Sequence, residues 1–394
     1  MVFSLFFPSP DQGEGRVGFL CYDNYMATKL GKISRPFLFW TIVLVVAGFF
    51  IFMSASLGEL VKNEIKFSSV AFNQIFYGLF LGSIACIIFA RIDYHIWKKF
   101  AFIFFISSII LTLLVFVPGI GIEHGGAKRW LDLKFITFQP AELLKIAFIA
   151  YFAAWLTGLK NKVATFSWGL LPFGIFMGIL GVILIAQPDI DTFVVIVAAA
   201  LSMYIAAGAK MRHVVVILFI GIAFLATLYL TKPYIKQRID VMINPSINRQ
   251  TSGYQLNQSL IAIGSGQIWG RGFGQSIQKF HYLPEPIGDS VFAVAAEEFG
   301  FVGALVIVGL FVMFSLEGLK IASKSGDDFG RLLALGIVIL IVSQAFVNIS
   351  GMLGILPLTG IPLPFVSHGG TALFITLVEA GIIMNISRTA RSKG

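Results

Sequence analysis

The sequence predicts an all-α polytopic membrane protein of about ten transmembrane helices, with a long extracytoplasmic loop between spans seven and eight. Three observations predict it. Of 394 residues, 57% are hydrophobic and only 12% charged, against about 25% charged in a soluble domain. The apolar residues fall in separate runs of membrane-crossing length. Basic residues punctuate those runs instead of clustering on one element with stacking aromatics. The formal charge of +9 therefore reads as membrane orientation, and nucleic acid is excluded as a partner.

The chain opens with VFSLFFPSPDQGEGRVGFLCYDNY after Met1. This stretch has neither a basic n-region nor a small-residue cleavage site, so it is not a signal peptide. Met26 begins MATKLGKISRPFLFW, a short basic leader before a first span. Residues 1–25 are read as a disordered tail or an over-long start, and 1–35 as a cytoplasmic tail. Residues 36–390 form one membrane domain.

A span needs about 20 apolar residues, with a range of about 17–25. Ten stretches are candidates, the eighth of them long and the last short. The first five are Phe37–Ser56, Phe72–Ala90, Phe100–Val117, Ala141–Leu159 and Trp168–Ala186. The next five are Phe193–Ala209, Val214–Leu230, Val291 to Leu316, Leu332–Ser350 and Thr371–Ile386. Lys29, Lys32 and Arg35 precede the first span. The even-numbered connections carry Arg91, Lys98 and Lys99, then Lys160 and Lys162, then Lys210 and Arg212, then Lys320, Lys324 and Arg331. By the positive-inside rule both termini are cytoplasmic. The odd-numbered connections then lie outside. They include the long loop 231–290, whose own charges count little toward orientation. They also hold the densest Gly, Pro and polar clusters, and irregular backbone at membrane depth is tolerated only in protein or beside a watery cavity. Function is expected on the outer face.

Candidate residues follow from those loops. In QPAELLK, Pro140 suits a first helical turn, and Glu142 and Lys145 share one helix face. Ionisable groups so near lipid mark either a site or an internal salt bridge. Lys128 and Arg129 in GGAKRW are outer-face cations, fit for lipid headgroups or, through the planar fork of Arg, for phosphate. Asp189 and Asp191 in QPDIDT suit a cation, a polar headgroup or a solvated turn, the last being favoured for Asp191. The glycines of GSGQIWGRGFGQS suggest either a phosphate cradle or a re-entrant turn, and no GK[ST] follows to make a nucleotide loop. HYLPEPIGDSVFAVAAEEFG carries Glu285, Asp289, Glu297 and Glu298. Asp289 fits a helix N-cap or a catalytic group. Glu297 and Glu298 are neighbours and cannot share one face. The two cysteines and five histidines show no disulfide framework and no metal-ligand spacing.

GGAKRWLDL…FQPAELLK, QPD, YQLNQSLIAIGSG, QKFHYLPEPIGDSVFAVAAEEFGFVG and LPLTGIPLPFVSHGG occur in this order. Together they resemble the SEDS family (shape, elongation, division, sporulation), the FtsW/RodA proteins, over about residues 35–390. QKFHYLPE resembles the division-type FtsW branch more than RodA. The chain departs from the family pattern at Ile287-Gly288, where His-Thr is usual, and at Gly125, Ala141, Asp191 and His368.

The resemblance implies a peptidoglycan glycosyltransferase that polymerises lipid II on the outer face of the bacterial cytoplasmic membrane, in cell division. Asp289 would be the catalytic base. Arg129, Lys128, Lys145, Glu285 and Glu142 would bind or frame the substrate, and a divalent cation, magnesium or manganese, would be the one cofactor. The implied partners are a class B penicillin-binding protein, other divisome or elongasome membrane proteins, and membrane lipids. Nearby cations are expected to keep Asp289 ionised at neutral pH. A lipid II flippase and a catalytically inert division scaffold are the alternatives from other functional classes.

Overall fold

In the computed structural model of the chain, the described residues are 32–389 apart from 63, 125–126, 133–136 and 246–252. The expected tail, residues 1–25, lies outside them. Ten helices follow the expected spans, and nine of these, among the described residues, are long and apolar enough to cross a membrane. Helix α1 is Arg35–Lys62, α2 is Phe67–Phe89, α3 is His95–Leu113, α4 is Pro140–Leu159 and α5 is Leu171–Ala186. Helix α6, Ile190–Ala206, is the tenth and has only 17 residues. Its buried Val195, Ile196, Ala199 and Met203 pack on α4 and on a later span, while Val194 and Ile205 on its other side are exposed.

Helix α7 is Met211–Thr231. The long loop that follows is largely helical: α8 is Pro233–Ile243 and α9 is Tyr254–Ser265. The last three spans are α10, Val291–Lys324, α11, Asp328–Met352, and α12, Gly370–Ser387. One small sheet adds to the all-α plan. Strands β1 (Gly121–His124), β2 (Ala127–Asp132) and β3 (Thr137–Phe138) are antiparallel in that order. Leu131 pairs with Gly121 on one side and Phe138 on the other. A loop that must carry Arg129 at a membrane surface thereby satisfies its own backbone groups.

Helix α10 is broken. Gly300 takes φ 68°, ψ −165°, a conformation that strongly favours glycine. The break frees carbonyls, and the glycine-rich loop fills them: Arg271 N donates to Glu297 O (3.0 Å) and Gly272 N to Glu298 O (2.9 Å). In return Phe301 N and Val302 N donate to Gln267 O and Ile268 O. A Cβ on Gly266 or Gly270 would stand 2.1 Å from a carbonyl of α10. These glycines are a re-entrant seam against a discontinuous helix, and the phosphate-cradle alternative does not hold for them.

Glu297 and Glu298 belong to the same seam. Lys279 is fully buried, and its ammonium contacts Glu298 (2.6 Å), Ser54 Oγ of α1 (3.0 Å) and Gly274 O (2.9 Å). Glu297 accepts from Ser276 Oγ (2.5 Å), Ile277 N (3.1 Å) and Gln278 N (3.3 Å). Two of the four carboxylates in this stretch are therefore structural. They fasten residues 271–279 to α1 and α10.

Candidate active site

Four odd-numbered connections meet at one end of the bundle. From β2, the Arg129 side chain reaches the connection between α5 and α6. Its Nε donates to Gln187 O (3.2 Å), Nη2 donates to Pro188 O, and Nη1 lies 3.9 Å from Asp189. The register of β1 and β2 slips here: Ile122 pairs with Trp130 and Glu123 with Lys128, which leaves Arg129 as the extra, bulged residue of β2, and a bulge re-aims a side chain. Lys128 is exposed, whereas Arg129 is partly buried against the connection between α5 and α6.

Asp289 arrives from the last turn before α10. Glu285 closes that turn: its carbonyl accepts from Gly288 N (3.1 Å) and Ser290 N (3.2 Å). It adopts φ 44°, a region uncommon for residues other than glycine. Its own side chain is exposed. Neither Asp289 nor Ser290 caps α10 through its side chain, which removes the capping alternative. Ser290 Oγ instead accepts from Gln255 of α9. The backbone of Asp289 is pinned by Asn348 of α11, whose amide donates to Asp289 O (2.9 Å) and Ile361 O (2.8 Å). No hydrogen bond reaches the Asp289 carboxylate among the described residues.

Gly360 sets the spacing. A Cβ placed there would lie 3.5 Å from Arg129 Nη1 and 3.6 Å from Asp289 Oδ2. The carboxylate and the guanidinium therefore stand about 7 Å apart or less, across a gap that a side chain would enter. Asp191 holds Gly360: its Oδ2 accepts from Gly360 N (3.3 Å) and from Arg238 Nη1 of α8 (2.9 Å). Asp191 is thus no solvated turn residue.

Burial dominates the electrostatics of Asp289. It is mostly buried, and burial pushes its pKa up to about 7. Glu285 and Asp191 add to that rise, and Arg129 and Arg238 oppose it. The expectation that cations keep it ionised at neutral pH is corrected: burial outweighs them, and the group is poised near neutrality.

Glu142 and Lys145 lie in the first turns of α4. Both are buried and 2.9 Å apart. Lys145 also donates to Gln344 Oε1 (2.6 Å), and Gln344 Nε2 donates to Pro362 O (2.9 Å). Gln344 and Asn348 are one turn apart on α11. They link the buried ion pair to the chain segment 360–362 and to Asp289. Lys145 is connected to the site through these neighbours.

Among the described residues no three His, Cys, Asp or Glu side chains group as a metal site. Glu285 and Asp289 remain, a donor pair that suits magnesium or manganese shared with phosphate oxygens better than an all-protein cage. Sequence reasoning missed Arg238, Gln344, Asn348 and Gly360. Polar Gln344 and Asn348 at i, i+4 inside an apolar span were a legible mark of a bundle interior. Arg238 sat in a loop whose charges had been discounted.

The family described as "Cell cycle protein", FtsW/RodA/SpoVE, matches residues 35–392. The chain is 40% identical over 314 residues to the probable peptidoglycan glycosyltransferase FtsW of Geobacter metallireducens, covering 80% of this chain and 83% of that protein. It is 35% identical to stage V sporulation protein E of Bacillus subtilis, over 93% of this chain and all of that one. Among solved structures, a chain of a peptidoglycan synthase complex superposes with a TM-score of 0.74 at 24% identity, covering 90% of this chain and 98% of its own. The rod shape determining protein RodA of Thermus thermophilus gives 0.62 at 24% identity, covering 89% and 97%. Family match, relatives and fold agree over nearly the whole described chain, and this multi-pass membrane protein belongs to the FtsW/RodA/SpoVE family, the SEDS proteins.

Proposed function

We propose that this chain is a peptidoglycan glycosyltransferase that polymerises lipid II on the outer face of the bacterial cytoplasmic membrane, with Asp289 as general base. One observation carries the reading: a carboxylate that no hydrogen bond reaches among the described residues faces an arginine across the gap at Gly360. The names of the relatives point to the same reaction.

The chemistry fits the gap. Asp289 takes the proton of the acceptor's C4 hydroxyl as that oxygen attacks the donor's anomeric carbon. The bond from that carbon to the lipid diphosphate breaks, and its electron pair leaves on the diphosphate. An α-linked donor gives a β-linked product by inversion, as with the base of inverting glycosidases. Diphosphate is a weak base, so it needs positive charge and no acid, and Arg129 supplies that charge. A magnesium or manganese ion held by Glu285 and the phosphates would add to it. A pKa of about 7 places the base near the pH at which base catalysis works best.

Loop charge supports cytoplasmic termini and an outer site. The QKFHYLPE stretch and the FtsW relatives support a role in division, beside a class B penicillin-binding protein and other divisome membrane proteins. Purified parent protein with its transpeptidase partner should make glycan strands from labelled lipid II. Asp289→Asn should insert and bind the partner, yet lose about 10²–10⁴-fold in rate. Polymerisation near the parent rate would refute the base role. Retained lipid II transport by an inactive Asp289→Asn would favour a flippase.

A further inference from the structure

Of the chain's own side chains, the proposed reaction gives the donor's diphosphate one cation, Arg129. A doubly esterified diphosphate carries two negative charges, and a second side-chain cation lies close by. Helix α8 places Arg238 beside Asp191, 2.9 Å from its carboxylate, with the Arg238 side chain 34% exposed. Arg238 and Arg129 are the two cations that act on Asp289. Asp191 touches both Arg238 and the backbone of Gly360, so Arg238 borders the same gap.

The polar atoms around this gap are unusual. Tyr234 Oη of α8, Asp189 Oδ2, Thr359 Oγ1 and Asn348 Oδ1 are buried and lack hydrogen-bond partners among the described residues. Asp189, Thr359 and Asn348 are each at least nine-tenths buried. Thr359 adjoins Gly360, Asn348 holds Asp289, and Asp189 lies beside Arg129. The charges acting on Tyr234 are Arg238, Asp191, Arg129 and Asp189. Buried polar groups are nearly always paired, and clustered exceptions call for an explanation; of these four, the hydroxyls of Tyr234 and Thr359 can donate to phosphate oxygens, whereas Asp189 Oδ2 and Asn348 Oδ1 only accept. A neutral hydroxyl and a second planar guanidinium suit phosphate oxygens.

We propose that Arg238 and Tyr234, carried on the loop helix α8, form a second half of the diphosphate site, joining Arg129 on the substrate's diphosphate. This deepens the glycosyltransferase reading and rests on it. Asp191 then orients Arg238 before substrate arrives and holds Gly360 in place with the same oxygen. The amphipathic loop helix is a substrate-binding element rather than a connection.

The test uses the full chain in nanodiscs and measures binding of undecaprenyl diphosphate, undecaprenyl monophosphate and undecaprenol. The parent should prefer the diphosphate. Arg238→Gln should weaken diphosphate binding about tenfold or more, from loss of a charge-assisted hydrogen bond, and leave undecaprenol unchanged. Removing Arg238 also strands Asp191, so a second variant separates the causes. Asp191→Asn combined with Arg238→Gln removes the stranded charge and keeps an acceptor for Gly360 N. If Arg238 touches the diphosphate, the double variant stays weak. Recovery of parent binding in the double variant would overturn the proposal, as would unchanged diphosphate affinity in Arg238→Gln or an equal loss of monophosphate. Binding is read without polymerisation. Failure of the parent to make glycan would strike the glycosyltransferase reading and leave the binding result standing.

Discussion

Gly360→Ala tests the geometry most directly. The new methyl carbon would sit 3.5 Å from Arg129 Nη1 and 3.6 Å from Asp289 Oδ2. Both are ordinary contact distances, so no clash forces the backbone to move. Gly360 keeps a negative φ, and its N–H still reaches Asp191 (3.3 Å). The variant should therefore insert and unfold like the parent. The methyl nevertheless occupies the space between base and cation. A reacting hydroxyl must lie within about 2.6–3.2 Å of Asp289, and the reacting atoms about 3–3.5 Å apart. A displacement of about 1 Å costs on the order of 10²-fold. Gly360→Ala should lose about that much in lipid II polymerisation, read as product on a gel at matched protein level and matched unfolding temperature. A rate within about threefold of the parent, well short of that loss, would show that substrate does not pass between Arg129 and Asp289.

Other outcomes follow from the same contacts. The kcat/KM for lipid II should fall about tenfold per pH unit below about 7 as Asp289 protonates. Glu285→Gln removes a like charge and should move that limb to lower pH; an unmoved or upward-moving limb would dissociate Glu285 from Asp289. Lys279→Ala leaves Glu298 buried and unpaired. It should cost about 3–5 kcal/mol of stability, seen as an earlier unfolding transition in detergent, and Glu298→Gln in the same chain should recover part of it. Lys145→Ala strands Glu142, so protein level and rate should both drop. Adding Glu142→Gln should restore the level but not the full rate, because Gln344 loses its anchor; complete recovery of rate would reduce Lys145 to a structural partner.

Hydrophobic run length, basic punctuation and Pro140 at a helix start determined the membrane class and most spans, because each is a local property of the chain. Periodicity placed Glu142 and Lys145 on one face, and they are paired there. Local reasoning also grouped Lys128 with Arg129 and Glu297 with Asp289, since it ranks residues by distance along the chain. Tertiary structure regrouped them. A bulge at Arg129 in β2 carries that side chain to the connection between α5 and α6 and leaves Lys128 exposed, and the break at Gly300 draws Glu297 and Glu298 into a seam with Lys279 and residues 271–278. Only the packed bundle brings Arg129, Asp191, Arg238, Asp289 and Gly360 to one gap, from five segments far apart in sequence. The pKa of Asp289 was settled there too. Sequence shows which charges exist, but burial decides how strongly each acts, and burial is a property of the whole fold.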